Sequence, residues 1–342
     1  MSKIPESFKD LPSYADLPNK RRYWPYEPGS AREGQGMTGL LTPTHIAECA
    51  ASEIRTGERA CITLPIQGVT YPLFGRPASK VDIHYIGYPS VFDDEVTYNP
   101  QSSSQWDGFR HHSQPVGYGF TPGLTDEDVA KMDETEQYLW YGGTTAAEIQ
   151  APGSTRIGLH HLRRGIVGRG VLLDYAEWAA KKGIKYSCYG ERHAIPLKDL
   201  KQIVADYNIT LKPGDILCVR IGATQEYSAM CDEERKALSE VRPVVGTGIE
   251  VTEETLEWIW NNHFTALVGD AIAFEAYPHL DQRLSVHNVC LAGWGIPLGE
   301  IFDLDELSEL CKKHQRWSFF FNSVPTFVTG GVSSAPNAVA IF

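Results

Sequence analysis

The 342-residue sequence lacks the short motifs that mark several common enzyme classes. It contains no GxSxG elbow, no HExxH pair and no Walker lysine, which excludes the usual serine-hydrolase, zinc-protease and P-loop interpretations. It also lacks any CxxC pair, and its seven cysteines are odd in number. We therefore expect free thiols in a reducing compartment and predict a cytoplasmic location.

Basic residues are scarce, and long apolar runs are missing. The chain has 31 Lys and Arg against 43 Asp and Glu, a formal net charge of -12. This charge repels phosphate backbones and anionic lipid surfaces, so nucleic acid is not an expected partner. No stretch reaches the roughly 20 apolar residues of a spanning helix, and the charged, proline-rich N-terminus does not have the pattern of a signal peptide. We expect a protein outside the membrane that acts on a small molecule.

What the sequence does contain is an alternation of strand and helix patterns. A helix is predicted to begin at the cap Thr42, with Pro43 at its first position, and to stop by Gly57. The other predicted elements are strands at 61–66, 81–86, 171–174, 216–221 and 266–269, and helices over 196–207, from Thr252 and after the Asp303–Glu306 cap pair. This alternation predicts one α/β domain around a mixed sheet, over residues 41–342. Residues 1–40 show no period and form an irregular N-terminal arm, expected to pack irregularly or against a partner.

One polar segment, Gln101 to His111, concentrates groups that can carry chemistry. Gln101, Gln105 and Asp107 are spaced so that a loop or bulged strand can bring them to one point. A carboxylate with amide oxygens is a hard-donor set for a metal ion. A hydrogen-bonded polar loop without an ion is the alternative that the residues alone leave open.

This segment resembles the signature H-x-G-T-H-x-D-x-P-x-H of the cyclase family, which includes kynurenine formamidase and isatin hydrolase. Aligned without a gap, the first two family histidines fall on Gln101 and Gln105, the aspartate on Asp107 and the last histidine on His111. The sequence is also similar to the family at the run from His287 to Glu300 and at the closing glycine turn 330–336. The resemblance extends over about residues 40–342.

The resemblance implies a swivelling β/β/α type of fold, with a single domain built on a mixed sheet or flattened barrel. It also implies that Gln101, Gln105, Asp107, His287 and Glu300 stand at the metal ligand positions and that His111 is the general base. With amides in place of two imidazoles, manganese or another hard divalent ion is expected rather than zinc, or the metal is absent. A homo-oligomer, a dimer or larger, is a further implication, with the N-terminal arm as a candidate contact.

Other residues near these positions are secondary candidates. Four aromatic residues can either wall a substrate pocket or belong to the core: Trp106, Phe109, Tyr118 and Trp294. Asp270 and Glu275 flank a predicted strand end, where ligand-facing groups often lie. His112 is expected to point away from His111, as neighbours do on an extended chain.

Three functions are consistent with this sequence. The first is a hydrolase of a small-molecule amide or lactone, metal-assisted, in which His111 takes a proton and Asp107 and Glu300 belong to the catalytic set. The second is a metal-independent lyase, dehydratase or cyclase acting on a secondary metabolite, in which Gln101 and Gln105 donate hydrogen bonds to an oxyanion. The third is a catalytically inactive protein that binds a small molecule.

Overall fold

The computed structural model describes residues 4–87 and 90–342 and contains a nine-stranded mixed sheet in the order β1-β15-β13-β7-β9-β11-β12-β4-β14. The strands of this sheet are β1 (Arg59–Cys61), β4 (Gln105–Asp107), β7 (Ile166–Asp174), β9 (Ile216–Arg220), β11 (Ala266–Gly269), β12 (Leu298–Glu300), β13 (Ser318–Ser323), β14 (Ser333–Ser334) and β15 (Ala338–Ile341). Strands β7, β9, β11 and β12 run parallel at its centre, and antiparallel strands complete both sides. The predicted α/β class with a mixed sheet is confirmed.

Within the described residues, three small two-stranded sheets lie outside this one. They pair β2 (Lys80–Tyr85) with β3 (Phe92–Thr97), β5 (Gln114–Pro115) with β6 (Tyr138–Leu139), and β8 (Ala194–Ile195) with β10 (Gly248–Ile249). The pair formed by β2 and β3 is a hairpin whose side chains are nearly all exposed.

The α-helices are α1 (Pro43–Glu53), α2 (Asp126–Ala130), α3 (Ala146–Gln150), α4 (Tyr175–Lys182), α5 (Leu197–Asp206), α6 (Ala223–Ala229), α7 (Asp232–Glu240), α8 (Glu253–Asn261) and α9 (Asp305–His314), and a π-helix covers His287–Trp294. The Thr42 side chain accepts a hydrogen bond from the His45 N–H and caps α1 as predicted. Helix α9 begins at Asp305, within the predicted Asp303–Glu306 cap pair, and has no side-chain cap.

Two apolar cores cover the two faces of the large sheet. Alternate side chains of β7 serve both, since Val171 and Leu173 lie in the larger core and Leu172 in the smaller one. Helices α4, α5 and α8 pack in the larger core, and α9 packs in the smaller core. No helix of the described residues is long and apolar enough to cross a membrane. All seven cysteines are free.

The N-terminal arm packs along its own chain. Phe8, Leu11 and Tyr14 are buried in the larger core, and the Tyr14 hydroxyl donates to Glu253 of α8 at 2.5 Å. The indole N–H of Trp24 donates to a carbonyl of the π-helix, that of Ala292. The arm is therefore held by contacts within one chain.

Candidate active site

The candidate site is built where β4 pairs with β12. Their antiparallel register places Gln105 opposite Glu300 and Asp107 opposite Leu298. Because side chains alternate along a strand, Gln105 and Asp107 project from the same face, and Trp106 projects from the other. All three residues of β4 are buried.

Trp106 consequently lies in the smaller core. Its ring packs edge to face against Phe302 and Phe321, and its indole N–H donates to the Ser323 hydroxyl at 2.8 Å. The strand alternation therefore assigns Trp106 to the core that supports β4, which is one of the two alternatives left open above, and not to the wall of a substrate pocket.

Asp107 is the fully buried carboxylate at the centre of the cluster. Its Oδ1 accepts from the Gln101 amide at 2.8 Å, whereas its Oδ2 has no hydrogen-bond partner among the described residues. The Oδ2 atom lies 3.7 Å from His111 Nε2 and 3.9 Å from His287 Nε2. Burial raises the pKa of Asp107, and the charge on His287 offsets part of that rise.

Gln105 and Glu300 form the second part of the cluster. The Gln105 amide donates to Glu300 Oε2 at 2.8 Å, while Gln105 Oε1 is buried without a partner among the described residues. Glu300 Oε1 accepts from the Phe274 backbone N–H at 3.1 Å and lies 3.1 Å from His287 Nε2. Burial, reinforced by the charge of Asp107, raises the pKa of Glu300.

His287, the first residue of the π-helix, is held in place by Glu275. Its Nδ1 lies 2.9 Å from Glu275 Oε2, and its backbone N–H and the Ser285 hydroxyl donate to Glu275 Oε1. Burial acts to raise the pKa of Glu275, but the charge and hydrogen bonds of His287 lower it to about 2. Burial acts to lower the pKa of His287, but the nearby charges of Glu275 and Glu300 together raise it well above its usual value. This ion pair orients Nε2 of His287 toward Asp107 and Glu300.

Three imidazole rings meet beside these carboxylates. The ring centroid of His287 is 6.1 Å from that of His111 and 5.3 Å from that of His112. Burial, together with the charge of His287, lowers the pKa of both His111 and His112 to about 3, so both are neutral at pH 7. His112 was expected to point away, but residues 109–111 form a turn, closed by a hydrogen bond from the His111 N–H to the Gly108 carbonyl. Strand alternation does not apply there.

Gln101 lies between the carboxylate and the histidine. Its amide nitrogen donates to Asp107 Oδ1 and lies 2.8 Å from Nδ1 and 3.0 Å from Nε2 of His111, so it donates to whichever ring nitrogen carries no proton. Its backbone carbonyl accepts from the Arg76 guanidinium at 2.7 Å. In this arrangement the nitrogen of Gln101, and not its oxygen, faces the centre of the site.

These residues fit a bound cation. Asp107, His111 and His287 each offer one ligand atom, and the three atoms lie within 4.8 Å of one another. Two buried oxygens of this cluster have no hydrogen-bond partner among the described residues, Asp107 Oδ2 and Gln105 Oε1, and both are acceptors of the kind that a cation satisfies. One carboxylate, one amide oxygen and imidazoles make a mixed set that is harder than an all-imidazole site. Glu300 is bound to its protein neighbours and borders this group.

The remaining aromatic candidates lie apart from this cluster. The ring of Phe109 packs against Tyr141 at 4.7 Å, and Trp294 is buried against Trp260 at 5.1 Å. Tyr118 is 60% exposed. Of the two secondary carboxylates, Glu275 belongs to the site, whereas Asp270 accepts three backbone N–H groups of residues 221–223 and supports the start of α6.

Two cavities reach the site at Gln101. One is a narrow pocket with Arg76 in its wall and mostly apolar lining: Leu64, Val69, Leu73, Tyr189, Ile272 and Ile301. The other is a cleft of about 650 Å³, bounded by the base of the β2–β3 hairpin on one side and by residues 328–333 on the other. A small molecule can therefore approach the cluster past Gln101.

Comparison with known proteins gives consistent matches. The sequence profile of the putative cyclase family matches residues 60–276. Among solved structures, a novel cyclase is 26% identical, with a TM-score of 0.74, covering 92% of this chain and 97% of its own. Isatin hydrolase A from Labrenzia aggregata, bound to benzyl benzoate, is 10% identical with a TM-score of 0.53, covering 86% and 96%. An isatin hydrolase bound to the product analogue thioisatinate is 13% identical with a TM-score of 0.50, covering 86% and 94%. No curated protein matches the sequence.

Proposed function

Since this chain belongs to the putative cyclase family, we propose that it hydrolyses an amide or lactone of a small molecule, with a divalent metal ion held at Asp107. The observation that carries the proposal is Oδ2 of Asp107, which is fully buried, faces both His111 and His287 and has no hydrogen-bond partner in the part of the chain that the structure describes. A buried carboxylate oxygen without a partner is costly unless a cation or a proton satisfies it.

Asp107 and His287 would hold the ion, with Gln105 supplying its free amide oxygen and His111 within reach. The Gln101 oxygen can join this set if the side-chain amide rotates by half a turn. Glu300 contacts both His287 and Gln105 and holds them in place. This oxygen-containing set favours manganese or magnesium over zinc. When bound, such an ion polarises a carbonyl and lowers the pKa of water.

The protein supplies orientation and proton transfer. His111 is neutral at pH 7, so its unprotonated ring nitrogen would accept a proton as water attacks the substrate carbonyl, once the Gln101 amide that donates to this nitrogen has turned away. Glu275 and Glu300 fix the ring of His287, whose Nε2 would give up its proton when it binds the ion. His112 stands beside His287 and can relay the proton toward the leaving group.

A second candidate is favoured by one feature, the direction of the Gln101 amide. Its two N–H groups point into the centre of the site toward Asp107 and His111, and the one that faces His111 could donate instead to an oxyanion on a substrate. In that case His111 moves a proton beside a carbonyl without a metal, and the reaction is an elimination or cyclisation. A protein that only binds its small molecule is the third outcome that an experiment can return.

Turnover of a panel of aryl amides and lactones, before and after chelation, separates these candidates. We expect activity that is lost on chelation, restored by Mn²⁺ and strongly reduced in His111→Ala. His314→Ala is the matched control, because His314 lies on α9, paired with Glu58 and stacked on Phe342 outside the site, and its loss should leave turnover unchanged. Turnover that resists chelation but needs His111 would replace the proposal with the second candidate.

A further inference from the structure

The narrow pocket that reaches Gln101 has one cation in its wall, Arg76. The Nη1 group of Arg76 donates to the Gln101 backbone carbonyl, and its guanidinium lies over the ring of Phe74, 5.1 Å from the ring centroid. These two contacts hold the side chain without neutralising it, because none of the described carboxylates is paired with Arg76. The N–H groups on Nε and Nη2 therefore stay available to an acceptor that enters the pocket.

A second polar group in the wall of this pocket is the Thr224 hydroxyl. Thr224 is only 4% exposed, and its Oγ1 has no hydrogen-bond partner within the described residues. Thr224 lies in the first turn of α6, and Tyr227 and Ser228, three and four residues later, line the same pocket. Asp270 accepts the N–H groups that precede this turn and so fixes the position of Thr224. A buried hydroxyl without a partner carries a cost that a bound polar atom would remove.

The rest of the pocket suits a small apolar group. Its other walls are mostly aliphatic, and its volume is about 30 Å³, close to that of one water molecule in the liquid. An apolar group of a few carbon atoms would gain from burial there. A charged group is stable in such surroundings only beside an opposite charge, which Arg76 supplies.

We propose that the substrate carries a carboxylate next to a small aliphatic group, and that Arg76 and Thr224 bind this end of the molecule in the narrow pocket. The Nε and Nη2 groups of Arg76 would donate to the two carboxylate oxygens as a planar fork, and the Thr224 hydroxyl would donate to one of them. This substrate class rests on the proposed hydrolysis, because it describes the molecule that the reaction consumes. Arg76 is then a specificity-determining residue.

The carboxylate held by Arg76 is separate from the bond that is cut. Arg76 contacts the backbone carbonyl of Gln101, whereas the side-chain amide of Gln101 faces Asp107 and His111. The substrate would therefore span the length of one glutamine side chain between its charged end and its reacting carbonyl. Burial raises the pKa of Asp107 and lowers that of His111, and the charge of Arg76 acts to lower both. The same charge attracts an anionic substrate toward the site.

Binding of 2-methylpropanoate tests the pocket without turnover, with 2-methylpropanamide as the neutral probe of the same shape. In isothermal titration calorimetry of the full chain, wild type should bind the carboxylate at least about tenfold more tightly than the amide. Arg76→Gln should lose this preference and bind the amide as wild type does. Arg55→Gln is the matched control, because Arg55 is exposed, also donates to one backbone carbonyl, and should leave both affinities unchanged. Equal affinity of wild type for the two probes, or undiminished carboxylate binding by Arg76→Gln, would overturn the proposal.

Thr224→Val tests the second contact. Valine keeps the shape of the side chain and removes the hydroxyl, so the variant should be at least as stable as wild type in urea unfolding. It should nevertheless bind 2-methylpropanoate at least about threefold more weakly. A variant that is equally stable and binds this carboxylate as tightly as wild type would place the ligand outside the pocket.

Turnover connects the pocket with the reaction. For a substrate that carries a carboxylate, wild type should show a kcat/KM at least about tenfold higher than for the analogue with a methyl ketone in its place, and Arg76→Gln should bring this ratio close to one. If amides or lactones are hydrolysed with no such preference, the substrate class is wrong and the proposed hydrolysis stands. If the probes bind as expected but no amide or lactone is hydrolysed, the proposed hydrolysis fails and the anion-binding pocket stands.

Discussion

Replacing Glu275 with glutamine removes the negative charge beside His287 while keeping the size of the side chain. In wild type the buried Glu275 carboxylate accepts hydrogen bonds from the His287 ring, the His287 backbone and Ser285. The variant leaves the buried charge of His287 with Glu300 as its nearest ion-pair partner. Removing one partner of a buried ion pair is strongly destabilising.

The pKa of Glu275 gives the magnitude. It is lowered from 4.5 to about 2 in the folded protein, which corresponds to roughly 3 kcal/mol of stability. Because this pKa is lowered, the contribution is complete above pH 4.5 and is lost as the pH falls toward 2. The pKa of His287 is raised, so its contribution is complete below pH 6.5 and is lost as the pH rises further. The pair therefore stabilises the fold most between pH 4.5 and 6.5.

Urea unfolding of chelator-treated protein, followed by tryptophan fluorescence, measures this effect. We expect the free energy of unfolding of Glu275→Gln to be about 3 kcal/mol lower than that of wild type at pH 5.5. This difference should be about 1 kcal/mol smaller at pH 3.5, and it should also be smaller at pH 8. Glu33→Gln is the control, since Glu33 is also buried but is paired with Arg156. Because Arg156 stays charged, the stability lost in Glu33→Gln should not fall between pH 5.5 and 8. A Glu275→Gln protein as stable as wild type at pH 5.5, or a difference that is constant with pH, would refute the ion pair described here.

Three further predictions concern the site and its support. Gln101→His/Gln105→His should raise the affinity for Zn²⁺ relative to Mn²⁺ at least about tenfold in competition titrations, because imidazole replaces amide oxygen; an unchanged ratio would remove these residues from the ligand set. His111→Ala should lower kcat on any substrate found in the panel by roughly 10²–10⁴-fold, and a rate within a few-fold of wild type would exclude His111 as the base. Trp106→Phe should cost about 1–2 kcal/mol in urea unfolding through the lost indole hydrogen bond, with metal affinity unchanged, and a changed affinity would contradict the assignment of Trp106 to the core.

Elements with local signals were predictable from the sequence. Thr42 and Pro43 mark the start of α1, and the apolar run 266–269 is strand β11 as predicted. The strand expected at 61–66 ends at Cys61, because Thr63 and Leu64 instead bond to Ala338 and Ser104 in a loop. Edge strands depend on such tertiary contacts, which a local pattern does not contain.

The part of the site that comes from one continuous segment was predictable from the sequence. The part in which distant segments of the chain come into contact was less predictable. Gln101 donates to Asp107, and Gln105 projects from the same face of β4 as Asp107, because β4 and the loop before it are local. The direction of His112 was predicted wrongly because β4 ends in a turn that begins at Gly108, and a single glycine does not mark where a strand stops. Glu275 was only a secondary candidate. The segment between Glu275 and its partner His287 is irregular, and its sequence has no periodic pattern that predicts their contact.

Metal content tests the central claim most directly. Purified wild type and Asp107→Asn, both grown with added manganese, would be compared by inductively coupled plasma mass spectrometry and then by Mn²⁺ titration of the chelated proteins. Asparagine keeps the size of the side chain but removes the buried charge that faces His111 and His287. We predict about one ion per chain in wild type and at least tenfold weaker binding in the variant. Wild type that takes up no divalent metal, or a variant that binds it as tightly as wild type, would contradict a metal centre at Asp107.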